Sequence, residues 1–416
     1  MEAQVTAVAE TEGNVLFPGP TWTSFRFVDD EVMNDQFEFF LGAALYGMSD
    51  LGECLEVARQ LRPDDEHSWI DAWSDMAQRL TERAEAAEKK GKLVTASTAY
   101  LRASTYWRAS LMHYGYKDDP RQVAHAKKSY ECYDRYLELS GYPGTYVEIP
   151  YEDSFLPAYF YRSENAAPEA PILIFNQGRD AWPDDVRWVY DGAMKRGIHC
   201  IAFHGPGQGL ALRLNDLHFR PDWEKVVTPV VDFAIEQPGV DPSRIALMGL
   251  SFGGYLAPRA AAFEPRIKIC IANPGVLQWG QSLLTQFPPE MTEAFESGPD
   301  AFNEIIAAAI PFVPLYDWFI RDASYKHGVS TPYELIQELL ACDLTPVVHQ
   351  IKCEVLIMEG EDEIRTEGES QRLYDALDCP KHMMVFEEKT TAQLHCQGGA
   401  NATAGEFMFD WLDERL

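Results

Sequence analysis

From residue 29 to residue 142 the apolar positions recur every three or four residues, the spacing of one face of a helix. Phe37, Phe40, Leu41, Ala44 and Leu45 form one stripe. Trp69, Trp73, Met76, Ala77 and Leu80 form a second, and Tyr100, Leu101, Ser104 and Trp107 a third. A break containing Pro120 precedes another helix over Val123–Leu139, which Gly141 and Pro143 end. The pattern predicts four to six helices packed as a bundle-like N-terminal domain, with no fixed period that would mark a solenoid. Residues 1–28, where Pro18 and Pro20 lie close together, read as an irregular segment.

After Pro143 the period changes. Tyr146–Tyr151 and Phe155–Tyr161 read as strands joined by a tight acidic turn. Further short apolar strands are predicted at Ile172–Phe175, His199–Phe203, Ile245–Leu250, Ile267–Ala272, Glu354–Met358 and His382–Phe386. Helical patterns over Asp184–Lys195, Asp222–Glu236 and Ala402–Leu412 alternate with them. Alternation of this kind predicts an α/β class over residues 143–416, a mostly parallel sheet flanked by helices. One segment breaks the alternation. Residues 276–350 read as helical, punctuated by Pro288, Pro289, Pro311 and Pro314, and carry Trp279, Phe287, Phe312, Tyr316, Trp318, Phe319 and Tyr333. Placed after a strand, such an insert would form a cap.

The formal charge of −30 argues against nucleic acid and anionic membrane surfaces as partners, since both call for a basic footprint. Eight cysteines form no C-x-x-C pair, and Cys200 and Cys270 sit in apolar strands as small core residues. No stretch approaches the ~18 apolar residues of a spanning helix. Met1–Val15 is polar and acidic, unlike a signal peptide, so a cytoplasmic, reduced setting is expected and the sequon at Asn401 is read as chance.

The candidate chemistry starts at Ile245-Ala-Leu-Met-Gly-Leu-Ser-Phe-Gly-Gly-Tyr255, where a strand runs into a G-x-S-x-G turn and then a helix. Small residues flank Ser251 because the strained backbone of such a turn tolerates no bulk, and the turn lifts the hydroxyl clear of the sheet. A serine needs a base beside it and a carboxylate behind the base. In this kind of fold the order is Ser, acid, His. The acid is sought in Glu359-Gly-Glu-Asp-Glu-Ile-Arg365, where Asp362 is the choice and Glu361 and Glu363 the alternatives. His395, in the loop before the final helix, has the order and context of the base; His204 is the alternative, and His382 lies inside a strand. Two backbone N–H groups would hold an oxyanion. One is Phe252; the other comes from Asn176-Gln-Gly-Arg-Asp180, at Gly178 or Arg179. His204-Gly-Pro-Gly-Gln-Gly209 lacks the Lys-Ser/Thr of a phosphate loop and reads as a turn beside the site. His204 would border a substrate, as would Trp279 and Trp318 from the cap.

These residues together resemble one branch of the α/β-hydrolases. The resemblance rests on His204-Gly-Pro-Gly-Gln-Gly209, Asp222-Trp-Glu with Val226-Val-Thr-Pro-Val-Val-Asp232, Gly249-Leu-Ser-Phe-Gly-Gly-Tyr-Leu-Ala-Pro-Arg-Ala260, Leu394-His-Cys-Gln-Gly-Gly399 and the helical Tyr100-Leu-Arg-Ala-Ser104. The branch includes 2,6-dihydropseudooxynicotine hydrolase and fungal hydrolases of polyketide and other secondary-metabolite clusters, among them pigment polyketide-shortening, fusarin- and cytochalasan-type enzymes. It implies an α/β-hydrolase core under an N-terminal helical domain, homodimer assembly, no cofactor and no metal, and a triad at Ser251, Asp362 and His395. The chain departs from the branch at His204, where relatives carry an acid. It departs again in the acid loop, where two residues rather than three separate Gly360 from Glu363-Ile364.

The functional expectation is a serine hydrolase that acts on a carbonyl of a bulky polyketide-like or aryl-ketone small molecule and cuts a C–C bond through an acyl-enzyme. The same machinery would serve an esterase, lactonase or acyltransferase. Two further readings are a carbonyl-condensation cyclase with His395 as base and a non-catalytic scaffold.

Overall fold

The computed structural model describes residues 22–416 except residue 64, so most of the segment read as irregular lies outside the described residues. Among the described residues five α-helices precede the first strand: α1 (Glu31–Gly42), α2 (Leu51–Ala58), α3 (Glu66–Lys89), α4 (Leu93–Ala109) and α5 (Arg121–Ser140). Their ends follow local chemistry. The Asp30 carboxylate caps α1 by accepting from Met33 N, Asp65 caps α3 through His67 N, and Gly141 closes α5 in the left-handed region.

The strands are β1 (Gly144–Tyr151), β2 (Ser154–Tyr161), β3 (Ala170–Asn176), β4 (His199–Phe203), β5 (Val240–Leu250), β6 (Ile267–Asn273), β7 (Glu354–Gly360) and β8 (Lys381–Phe386). They form one sheet in the order β1-β2-β4-β3-β5-β6-β7-β8. Only β2 pairs antiparallel, with β1 and β4; the rest is parallel. The helices among them are α6 (Arg187–Lys195), α7 (Gly209–Asn215), α8 (Glu224–Ile235) and α9 (Gly253–Ala261), with α15 (Glu369–Ala376) and α16 (Asn401–Asp413) near the end. The fold is that of an α/β class with a mostly parallel sheet, as its alternating pattern predicts. The helix α7 was not foreseen, because its first residues continue a Gly-Pro-Gly-Gln-Gly run that reads as pure turn.

Side chains alternate across each strand, and the two faces feed two cores. Leu173, Phe175, Cys200, Met248, Ile271 and Leu356 pack with α1–α6 and α16. Their neighbours Ile172, Ile174, Ile201, Leu247, Cys270 and Ile357 pack with α8, α9 and the helices inserted between β6 and β7. Those inserted helices are α10 (Trp279–Leu284), α11 (Pro289–Ser297), α12 (Pro299–Ala309), α13 (Pro314–His327) and α14 (Pro332–Leu340). Four of the five begin with a proline, whose missing N–H costs nothing in a first turn. The stem of the insert is pinned by buried Glu369, which accepts from Leu277 N at 3.0 Å and Gln278 N at 2.7 Å. Among the described residues no helix is long and apolar enough to cross a membrane.

Candidate active site

The register brings the carboxyl ends of three central strands together. Asn176 lies opposite Gly249 and Leu250 opposite Asn273, so the chain leaves β5 into Ser251 between the loops that follow β3 and β6. Ser251 adopts φ +58°, a strained value for a non-glycine residue. Its N–H donates to Asn273 O at 2.6 Å and its carbonyl accepts from Gly254 N at 2.7 Å. The flanking glycines are required by contact: a Cβ on Gly249 would strike Gly253 O, and one on Gly253 would lie 2.8 Å from Asn176 O. Helix α9 starts directly after the turn with its N-terminus beside the serine, which favours negative charge there.

His395 and Ser251 meet. His395 Nε2 lies 3.0 Å from Ser251 Oγ, and its Nδ1 lies 2.6 Å from Glu363 Oε2. The acid facing the histidine is therefore Glu363, which corrects the choice of Asp362. Asp362 is exposed, and its backbone N–H donates to Gln393 O at 2.9 Å. Glu363 is buried, with its second oxygen accepting from Arg365 N at 2.8 Å and Thr366 N at 3.1 Å. Burial raises the Glu363 carboxyl pKa, but the His395 charge and these hydrogen bonds outweigh it and leave it below its ordinary value. Burial likewise favours neutral His395, and the Cys396 and Glu363 groups beside it win and move its pKa up. The histidine loop is braced by Asn273 Nδ2, which donates to Gln397 Oε1 at 2.7 Å.

Gly178 packs on the serine turn. A Cβ there would lie 2.5 Å from Leu250 O, 2.7 Å from Ser251 Cβ and 3.0 Å from Phe252 N. Phe252 N finds no acceptor among the described residues. Gln208 fixes the opposing loop, its Nε2 donating to Gln177 O and Gly178 O, both at 2.8 Å. Sequence reading passed over Gln208; its signal was the Gly-Pro-Gly-Gln-Gly run, whose glycines let an amide side chain reach across.

His204 has no accessible surface. Its Nδ1 accepts from Leu210 N at 3.2 Å and its ring meets Trp182 edge-on. It therefore braces the start of α7, and the base facing Ser251 is His395 rather than the alternative His204, whose Nε2 has no partner among the described residues. Trp279 lies against Phe252 at 4.7 Å between ring centroids. Trp318 stacks on His113 at 4.8 Å, joining α13 to the chain after α4.

Behind the Gly178 loop lies a buried charge cluster that also escaped sequence reading. Arg108 of α4 pairs with Asp185 at 2.8 Å and donates through Nη2 to Asp180 O at 2.6 Å. Lys326 of α13 bridges Asp180 at 2.5 Å and Asp322 at 2.7 Å. Asp180 is part-buried, and desolvation raises its pKa, but the Arg179 and Lys326 charges override this and hold it below the ordinary carboxylate range. No local period announces such a cluster, because its members come from three distant segments. Among the described residues no group of three or more His, Cys, Asp or Glu is placed to hold a metal ion.

Residues 170–390 match the alpha/beta hydrolase family. A protein named hydrolyase poxO, from Penicillium oxalicum, is 31% identical over 94% of this chain and 99% of its own length. The 20-hydroxy-prefusarin hydrolase of Gibberella moniliformis is 31% identical over 92% of this chain and 96% of its own. Among solved structures, the 2,6-dihydroxy-pseudo-oxynicotine hydrolase superposes with a TM-score of 0.71 at 20% identity, covering 90% of this chain and 95% of that one, a likeness of fold.

Proposed function

The chain belongs to the alpha/beta hydrolase family, and we propose that it is a serine hydrolase that cleaves a C–C bond beside a carbonyl of a bulky, polyketide-like or aryl-ketone metabolite. The observation that carries this is the hydrogen-bonded line from Ser251 Oγ through His395 to Glu363, at 3.0 Å and 2.6 Å. The substrate class draws support from the named action of the Gibberella relative on a prefusarin, and from the aromatic Trp279 and Phe252 beside the serine.

In this reading His395 Nε2 takes the Ser251 proton as Oγ adds to the carbonyl carbon. Glu363 holds the ring with its Nδ1–H toward the carboxylate and stabilises the imidazolium. The new oxyanion sits against Phe252 N–H and an N–H of the Gly178–Arg179 pair, which converge because Gly178 packs on the turn. Collapse breaks the C–C bond. Its electron pair leaves as an enolate or ring carbanion, and the His395 proton passes to that carbon. Water, deprotonated by His395, then adds to the acyl-enzyme, and Ser251 leaves with the proton. An ester or lactone would pass through the same steps with oxygen as leaving atom.

Benzoylacetone in oxygen-18 water tests the reading. The expected products are a ketone and a carboxylic acid carrying one labelled oxygen, with a fluorophosphonate probe labelling wild type and not Ser251→Ala. Turnover without label in the acid, or a folded wild type that the probe fails to label, would overturn it.

A further inference from the structure

The buried polar atoms near the Ser251 turn and under the insert that hydrogen-bond nothing among the described residues include the acceptors Gln177 Oε1 and Asn273 Oδ1 and several donors. Arg179 Nη1, Trp279 Nε1 and Trp318 Nε1 are all buried without a partner among the described residues, as is His327 Nε2. A buried polar atom left unpaired is costly, on the order of 1–3 kcal/mol each, so the unpaired charged donor Arg179 Nη1 points to a ligand that supplies it an acceptor. Arg179 is the charged member. It follows Gly178, which touches Ser251, and its guanidinium lies over Phe319 at 4.9 Å and Trp318 at 5.7 Å on the underside of α13. Its other terminal nitrogen is held only loosely, 3.5 Å from Asp180 and 3.8 Å from Asp322, because Lys326 already occupies those carboxylates at 2.5 Å and 2.7 Å.

Charge counting leads the same way. Three buried cations, Arg108, Arg213 and Lys326, and the part-buried Arg179 face three carboxylates paired to them, Asp180, Asp185 and Asp322. Arg213 is bonded to Gln122 Oε1 and Gly209 O, both neutral. Asp184 is also buried, but burial and the neighbouring Asp185 raise its pKa well above the ordinary range, which favours its neutral form. The cluster therefore carries an excess of positive charge inside a chain whose formal charge is −30. Burial together with Arg179 and Lys326 pushes His327 down to about 3, so it adds a neutral hydrogen-bonding group and no further charge.

We infer that the Ser251 site takes a substrate bearing an acidic oxygen group, a carboxylate or the enolate of a 1,3-dicarbonyl, which docks on the Arg179 guanidinium through Nη1. A planar guanidinium suits both, since each presents oxygens in one plane. The inference deepens the carbonyl-hydrolase reading and rests on it for the location of the substrate. Arg179 acts here as a specificity-determining residue through its side chain, separate from the backbone N–H of the same residue.

The test reads binding rather than turnover. Ser251→Ala protein is titrated by calorimetry with two pairs of probes: 4-phenylbutyrate against its methyl ester, and dimedone against its O-methyl enol ether. The expected result is at least tenfold tighter binding of the acidic member in one pair, which also says whether a carboxylate or an enolate is preferred. The added substitution Arg179→Gln should bring that ratio to within about twofold of one. Equal affinity within both pairs, or no binding of either acid, would overturn the inference, and neither outcome needs the Arg179 variant to fold. A preference that survives Arg179→Gln in folded protein would also overturn it. Fluorophosphonate labelling of wild type reports the serine-hydrolase reading separately, so the two can fail independently.

Discussion

Replacing Glu363 by Gln keeps the shape of the side chain and removes its charge, which separates Glu363 from Asp362 as the acid behind His395. When His395 takes the Ser251 proton, an imidazolium forms against a buried carboxylate whose oxygen lies 2.6 Å from Nδ1. Charge centres about 4 Å apart attract by about 4 kcal/mol at an effective dielectric of about 20. At about 1.4 kcal/mol per tenfold, that is a loss on the order of 10³ in kcat/KM. A second effect adds to it. Arg365 N–H and Thr366 N–H both donate to the other Glu363 oxygen, so the Gln amide must keep its carbonyl there and turn its NH₂ toward His395. That puts the imidazole proton on Nε2, where the ring cannot accept from Ser251, and takes the expected loss toward ~10⁴. Asp362→Asn changes an exposed side chain and should stay within about threefold of wild type. The assay is kcat/KM on p-nitrophenyl butyrate together with the rate of fluorophosphonate labelling, with circular dichroism as the check on folding. Glu363→Gln within tenfold of wild type, or Asp362→Asn as damaged as Glu363→Gln, would refute the reasoning.

Three further outcomes are expected. Gly178→Ala would place a Cβ 2.5 Å from Leu250 O and 2.7 Å from Ser251 Cβ, so kcat/KM should fall by about 10²-fold or more as the oxyanion donors separate, measured on the same ester. Arg108→Ala strips the partner from buried Asp185 and should cost about 3–5 kcal/mol in urea unfolding, with part of that loss recovered in Arg108→Ala/Asp185→Ala, where no lone charge remains. The raised pKa of His395, about 10, implies that kcat/KM keeps rising with pH above neutrality, because the base is neutral only in a growing fraction; a plateau already at pH 7 would contradict it. The sign for stability is opposite. The contacts of protonated His395 with Cys396 and Glu363 stabilise fully below the ordinary histidine value of 6.5, and that share fades as pH rises toward about 10. At the acid end it fades as pH falls below 4.5 through the lowered Glu363 value. A wild-type minus His395→Ala difference in unfolding free energy that grows with pH above neutrality would sink this.

Much of the site could be read from the chain because its elements are local. The Ser251 turn is one strand, one strained residue and one helix, all contiguous, and His395 stands alone among the histidines in following the last strand with small residues after it. The acid was missed by one position for a reason local pattern does not carry. Glu361 N, Asp362 N and Glu363 N donate in turn to Phe386 O, Gln393 O and Gly360 O, so the loop winds tightly and presents successive acids to different sides. Only Glu363 is turned inward, onto the Arg365 and Thr366 N–H groups. A choice between adjacent carboxylates is made by that winding, and the winding is set by the histidine loop packed against it: a Cβ on Gly360 would strike Gln393 O.

The charge cluster shows why the N-terminal helices bear on the site. The carbonyl of Asp180 is held by Arg108 of α4 and its carboxylate by Lys326 of α13, while Gln208 holds the carbonyls of Gln177 and Gly178. Three backbone carbonyls of this loop are thus bonded away from Ser251, which suits the proposal that the N–H groups at Gly178 and Arg179 face the serine. Donors held in place before charge develops need no reorganisation when the oxyanion forms, which is where such a site obtains most of its effect. On this argument the helical segment at the start of the chain and the insert after β6 act as two halves of one clamp on the loop proposed to hold the oxyanion. Loosening either half at Arg108 or Lys326 should then lower kcat far more than it raises KM.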